Sequence, residues 1–122
     1  MSDQIHPEHG SINYIEYPAS DFERTKAFFS QVFDWKFTDY GTEYTAFHAN
    51  GLMGGFYLSE HACAQEHGGA LLVFYSESLE ETMVTIQQHG GVISKDIFAF
   101  PGGRRFHFVE PSGNEMAVWS DR

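Results

Sequence analysis

The chain has 122 residues, enough for one domain with a real core but not for two independent ones. Hydrophobic residues make up 42% and charged residues 20%, which excludes an intrinsically disordered chain and fits a globular one. Seven Lys and Arg stand against 17 Asp and Glu, a formal charge of −10, so neither nucleic acid nor an anionic membrane surface is an expected partner.

Other compositional features narrow the class further. No apolar run approaches the roughly 20 residues of a spanning helix, and the polar start MSDQIHPEHG has no signal-peptide core. Cys63 is the one cysteine, so no internal disulfide forms, and a cytoplasmic location is expected. Aromatics reach 16%, with twelve Phe, which points to a sheet-rich core or an aromatic-lined cavity.

In chain order, residues 1–10 read as a flexible arm, with His6 and His9 flanking Pro7 and Glu8. A first strand is predicted over Ser11–Ala19. Ile15, Tyr17 and Ala19 form one face of it; Tyr14, Glu16 and Pro18 form the other. Ser20 with Glu23 three residues on reads as a capping box. It opens a helix over Asp21–Phe33, whose Phe22, Thr25, Phe29, Val32 and Phe33 recur at helical spacing. Asp34 stands at the helix stop, where Asp tolerates left-handed geometry.

Strands follow at Trp35–Asp39, Glu43–Ala49 and Leu52–Leu58, with Asn50-Gly51 as the turn between the last two. Gly54-Gly55 reads first as a bulge that supplies curvature, and second as a place where a ligand or another backbone comes close. Ser59–Gly69 is a polar linker carrying His61 and His67.

The pattern then begins again. Leu71–Tyr75 is a strand, and Leu79, Met83 and Ile86 share a helix face. His89-Gly90-Gly91 stops that helix. Val92–Phe98, Arg104–Glu110 and Glu115–Ser120 are strands separated by Gly-containing turns. The predicted fold is α+β: two βαβββ modules, about 11–58 and 70–120, forming one domain over 11–120. Each module has a helix on the outer face of its sheet, and the uncovered faces curve around a shared cleft. Function is expected in that cleft.

The segments Tyr17-Pro18-Ala19-Ser20-Asp21-Phe22-Glu23-Arg24, Phe28-Phe29, Val32-Phe33-Asp34-Trp35, Gln88-His89-Gly90-Gly91 and Glu110-Pro111-Ser112-Gly113-Asn114, with Trp119, carry a family likeness. On these residues the chain resembles the vicinal oxygen chelate superfamily of glyoxalases, bleomycin-resistance proteins and extradiol dioxygenases. It is most similar to small bacterial glyoxalase-like proteins. The resemblance implies paired βαβββ modules around a cupped, partly open mixed sheet. It also implies, in metal-dependent members, a His, Gln or Glu ligand from the first and the last strand of each module. Here those positions fall on Tyr14, on Leu71 or Ala70, on Ala117, and within Gly54–Tyr57. Aliphatic side chains offer no lone pair to a cation, so the resemblance implies a member without the family's metal site.

Glu16 is the candidate general base, because a Glu in an aromatic cavity has a raised pKa. Otherwise it is a solvated rim carboxylate, or a partner of Arg104 or Arg105. Tyr14, Glu16, His48, Tyr57, His107, Glu115 and Trp119 make up the expected ligand pocket. Three functions are consistent with this. One is a small-organic-molecule binder that needs no cofactor. Another is a metal-dependent lyase, isomerase or dioxygenase, with a divalent ion on a relocated site of Glu16, His48, His107 and Glu115. The last is a drug-sequestering homodimer like the bleomycin-resistance proteins. A homodimer is the expected assembly in each case, since open strand edges must be covered. Cys63 lacks the basic surroundings of a nucleophile, and the chain contains no G-x-S-x-G, H-E-x-x-H, P-loop or G-x-G-x-x-G motif.

Overall fold

A computed structural model describes residues 8–122. Residues 1–7, most of the expected arm and including His6, lie outside the described residues. Within the remainder of the arm, Glu8 O accepts the Ser11 N–H at 3.0 Å.

The first module runs β1 (Tyr14–Ala19), α1 (Phe22–Phe33), β2 (Lys36–Asp39), β3 (Tyr44–Ala49) and β4 (Leu52–Leu58). The second runs β5 (Leu72–Tyr75), α2 (Leu79–Gln88), β6 (Val92–Phe100), β7 (Gly103–Val109) and β8 (Glu115–Ser120). A 3₁₀ turn at Gln65–His67 lies in the linker. The sheets have strand orders β1-β4-β3-β2 and β5-β8-β7-β6. In each, the first strand is parallel to the last and the other pairs are antiparallel. The chain is therefore α+β, two βαβββ modules with mixed four-stranded sheets.

Local sequence explains most of this. Tyr17 and Ala19 are buried on the helix side of β1, and Ile15 packs against the same core, as the alternation predicts. Asp34 ends α1 at φ 60°, ψ 34°, the left-handed geometry expected of it. The cap at the other end differs from expectation. Asp21 is the N-cap: its Oδ1 accepts the Arg24 N–H at 3.1 Å, while Ser20 stays exposed outside the helix. Both residue types cap well, and the helix starts one residue later than the Ser20–Glu23 spacing suggested.

The expected bulge at Gly54-Gly55 is also absent, since β4 pairs in unbroken register with both β1 and β3. The close-approach alternative holds instead. A Cβ on Gly54 would collide with Ile15 O and the Phe47 ring, and one on Gly55 with the Tyr44 hydroxyl. Irregular pairing falls on β6, between Ile93 and Lys95 and between Lys95 and Phe98.

The helix-side faces of both sheets share one aromatic core. Phe29 of α1 stacks on Trp35 (4.4 Å) and Phe56 (5.7 Å) in the first module, while Phe33 stacks on Phe74 (4.1 Å) in the second. The β7–β8 turn locks the modules together. Asn114, fully buried, donates from Nδ2 to Pro18 O at 2.6 Å and accepts the Cys63 N–H at Oδ1 at 2.8 Å. Ser112 Oγ lies 2.5 Å from Thr25 Oγ1 on α1. The faces turned away from the helices carry no helix of their own; Tyr14, Tyr57 and Tyr75 are exposed there, while Ala46, His107 and Ala117 are buried.

Candidate functional site: two open sheet faces

Strand register places the predicted residues. In the first sheet Glu16 pairs with Gly55, Gly55 with Ala46, and Tyr44 with Tyr57. In the second, Val73 pairs with Ala117, Ala117 with His107, and Trp119 with Arg105. Opposed residues share a face, so Tyr14, Glu16, Tyr44, His48 and Tyr57 line the open face of the first sheet. Arg105, His107, Glu115, Ala117 and Trp119 line that of the second. Gly55 and Ala117 hold the same register position in their modules.

A hydrogen-bonded cluster occupies the first face. Tyr44 O–H donates to Glu16 Oε2 at 2.9 Å, and the Tyr14 and Tyr44 hydroxyl oxygens lie 2.5 Å apart. Because the Tyr44 proton goes to the carboxylate, Tyr14 is the donor to Tyr44. Burial first, then the bonds to Tyr14 and Glu16, push the Tyr44 phenol above its ordinary pKa, so it remains a neutral donor at physiological pH. Glu16 is thus bonded by a phenol, not paired with Arg104 or Arg105. Arg104 instead forms a two-pronged bond to Glu80 on α2 (2.6 and 3.2 Å). His48 is exposed on β3, next in register to Lys36 and Met53.

On the second face His107 is fully buried, and its Nδ1 lies 3.0 Å from Glu115 Oε2. Glu115 Oε1 accepts the Gln65 N–H at 3.0 Å. The imidazole first and that N–H second hold the Glu115 carboxyl below its ordinary pKa. An ionised Glu115 fixes the proton on Nδ1. His107 Nε2 is buried and has no partner among the described residues, and so is Arg105 Nε. Trp119 meets Tyr75 at 5.2 Å and Phe100 at 6.3 Å between ring centroids.

The structure brings Glu16 together with Tyr14 through Tyr44, and His107 with Glu115. It does not join His48 to His107 among the described residues, although the relocated metal site expected from the sequence has the two converge. No hydrogen bond, ion pair or ring contact among the described residues joins one open face to the other. The sequence points to Tyr44 as a cavity-lining residue and to Arg105 as a holder of an anionic group; what it misses is that Tyr44 bridges Tyr14 and Glu16 and that Arg105 lies over Phe98. The strand alternation of Tyr44 with Ala46 and His48 was the available signal, since it aims all three at one side.

The family's metal corner can be tested against these residues. Tyr14 Oη is engaged by Tyr44, Gly55 carries no side chain and has no room for one, and Leu71 and Ala117 are aliphatic. This set does not fit a divalent ion. Among the described residues no three His, Cys, Asp or Glu side chains stand together as a metal-binding group. No helix among them is long and apolar enough to cross a membrane.

Comparison with known proteins agrees with the architecture. FosX, a genomically encoded fosfomycin resistance protein from Listeria monocytogenes, superposes with a TM-score of 0.76 at 16% identity, covering 93% of this chain and 94% of that one. A glyoxalase-related enzyme from Fulvimarina pelagi gives 0.75 at 16%, covering 91% and 88%. A lactoylglutathione lyase from Agrobacterium tumefaciens gives 0.68 at 18%, covering 91% and 93%. At these identities the likeness is one of fold. No curated protein matches the chain in sequence. The family model for the Glyoxalase/Bleomycin resistance protein/Dioxygenase superfamily matches residues 11–118, nearly the whole chain, which therefore belongs to that superfamily.

Proposed function

We propose that this chain is a metal-independent, small-molecule-binding member of the superfamily, acting as a cytoplasmic homodimer. The observation that carries the reading is the Tyr14–Tyr44–Glu16 cluster, which stands where the first module of metal-dependent relatives would offer ligands. A cation corner polarises a ligand's oxygens by charge. A phenol pair and a carboxylate instead offer directional hydrogen bonds, which suit a neutral or hydroxylated organic group. Glu16 is the candidate base should a proton be moved, since Tyr44 already orients its carboxylate.

The homodimer is supported by what each open face leaves uncovered. Tyr14, Met53 and Tyr57 on one, and Val73, Tyr75 and Phe100 on the other, are each more than a third exposed. A second copy laying its second sheet beside this first sheet would close a cup and cover both aromatic faces.

Native mass spectrometry tests the reading. Dimers without stoichiometric divalent ion, and a melting temperature unmoved by EDTA, are expected. One tightly held ion per chain, with EDTA destabilising the protein, refutes it and favours a lyase, isomerase or dioxygenase on a relocated site. Sequestration without turnover, as in bleomycin-resistance proteins, is distinguished by recovering a bound ligand chemically unchanged.

A further inference from the structure

Cationic and protonatable groups gather on the second open face of a chain whose formal charge is −10. Phe98, on edge strand β6, is their centre. The Arg105 guanidinium lies 5.3 Å and Lys95 Nζ 5.5 Å from its ring centroid, and the His107 ring centroid is 6.0 Å away. Neither Lys95 nor Arg105 forms an ion pair among the described residues. The one carboxylate bonded into the group is Glu115, committed to His107 Nδ1 and the Gln65 N–H. The nearby Asp96 carboxylate is turned to the Ile97 N–H at 2.8 Å.

Two buried nitrogens in this group lack partners, Arg105 Nε and His107 Nε2. They belong to side chains two residues apart on the same face of β7, and both side chains lie against Phe98. Burying polar nitrogens without a hydrogen-bond partner is costly, so a pair of them side by side marks a place where a polar group belongs. Phe98 sits beside the irregular pairing on a strand with only one neighbour, so a shift there breaks few ladder bonds.

We propose that the second open face is a binding site for a small carboxylate-bearing ligand, anchored by Arg105 Nε and His107 Nε2 when Phe98 swings aside. The Arg105 Nε–H donates to one carboxylate oxygen, and the other bonds His107 Nε2 in the form in which that nitrogen also carries a proton, Nδ1–H being held by Glu115. Lys95 supplies further positive potential, and Glu115 holds the imidazole in place. The inference rests on the proposed ligand-binding role of the open faces and names the ligand class for one of them.

Benzoate is the probe, because its carboxylate accepts both donors and its ring can replace that of Phe98. Benzamide is its neutral control. In NMR titrations of the full chain, benzoate shifts the His107 Nε2 and Phe98 ring signals, and benzamide binds at least tenfold more weakly. Arg105→Met weakens benzoate at least tenfold. Arg105→Lys, which keeps the charge but lacks Nε–H and preserves the fold more surely, weakens it by more than threefold. Benzamide binding as well as benzoate on this face overturns the anion site while leaving the cup reading intact. Benzoate moving neither His107 nor Phe98, or binding Arg105→Lys unchanged, overturns it as well.

Discussion

Replacing Glu110 by Gln changes how stability depends on pH. Glu110 is 2% exposed in the β7–β8 turn. Its Oε1 accepts the Ser112 N–H (2.5 Å) and the Asn114 N–H (3.2 Å), while Oε2 is buried without a partner among the described residues. Burial pushes the carboxyl from its ordinary 4.5 up to about 7, against the opposing pull of those N–H groups. Folding therefore favours the protonated form. The stability this contributes is fully present below pH 4.5, is lost as pH rises toward 7, and stays lost above it. A rise of about 2.5 pH units at about 1.4 kcal/mol each amounts to ~3.5 kcal/mol in full, of which ~3 falls between pH 4.5 and 7.5, or on the order of 10 °C in Tm for a domain this size. Gln mimics the protonated acid and keeps Oε1 for the two N–H donors. The assay is urea unfolding of both proteins from pH 4 to 8.5, followed by the fluorescence of Trp35, which stacks on Phe29 and Phe47. Other titrating groups cancel in the difference. That difference moves by ~3 kcal/mol in favour of Gln between pH 4.5 and 7.5. Parallel curves across that window would refute an uncharged, desolvated Glu110.

Three further outcomes are expected. Asn114→Ala leaves Pro18 O and the Cys63 N–H unpaired in the junction between modules and costs about 2–4 kcal/mol, read by chemical denaturation. Asp21→Ala costs about 1 kcal/mol and Ser20→Ala close to nothing in the same assay, since only Asp21 caps α1; equal effects would reinstate the Ser20 box. Tyr44→Phe removes the hydroxyl shared by Tyr14 and Glu16. It costs at most about 1 kcal/mol, because water reaches both partners, yet it abolishes ligand binding on the first face, as followed by calorimetry.

Much of the fold was legible because it is written in local periodicity. The order of elements, the helix side of β1 and the left-handed Asp34 each follow from a few neighbouring residues. The site was legible only in part. Tyr14 and Glu16 were assigned to one face correctly, but Tyr44 reaches them only through the pairing of β1 with β4 and of β4 with β3. That register is a tertiary fact. Arg104 was free in the sequence to meet Glu16 and instead meets Glu80, because β7 lies near α2. Glu110 reads as the end of a strand and Asn114 as part of the turn after it, and although the segment carries the family likeness, nothing local announces that this turn plugs into α1 of the other module. Gly54-Gly55 was ambiguous for a different reason: a bulge and a tight approach both select glycine, and only the neighbours decide.

The Tyr44 hydroxyl also constrains the routes by which such a protein could change its chemistry. A single substitution of Gly55 by Glu or His would not supply a chelating side chain, because the new Cβ would strike that hydroxyl. Tyr44 would have to swing aside or shrink, in either case giving up its bonds to Tyr14 and Glu16. If the open face serves the hydrogen-bonding role proposed for it, a chelating side chain at position 55 comes only at the expense of the Tyr14–Tyr44–Glu16 cluster, so the two chemistries exclude each other at this corner.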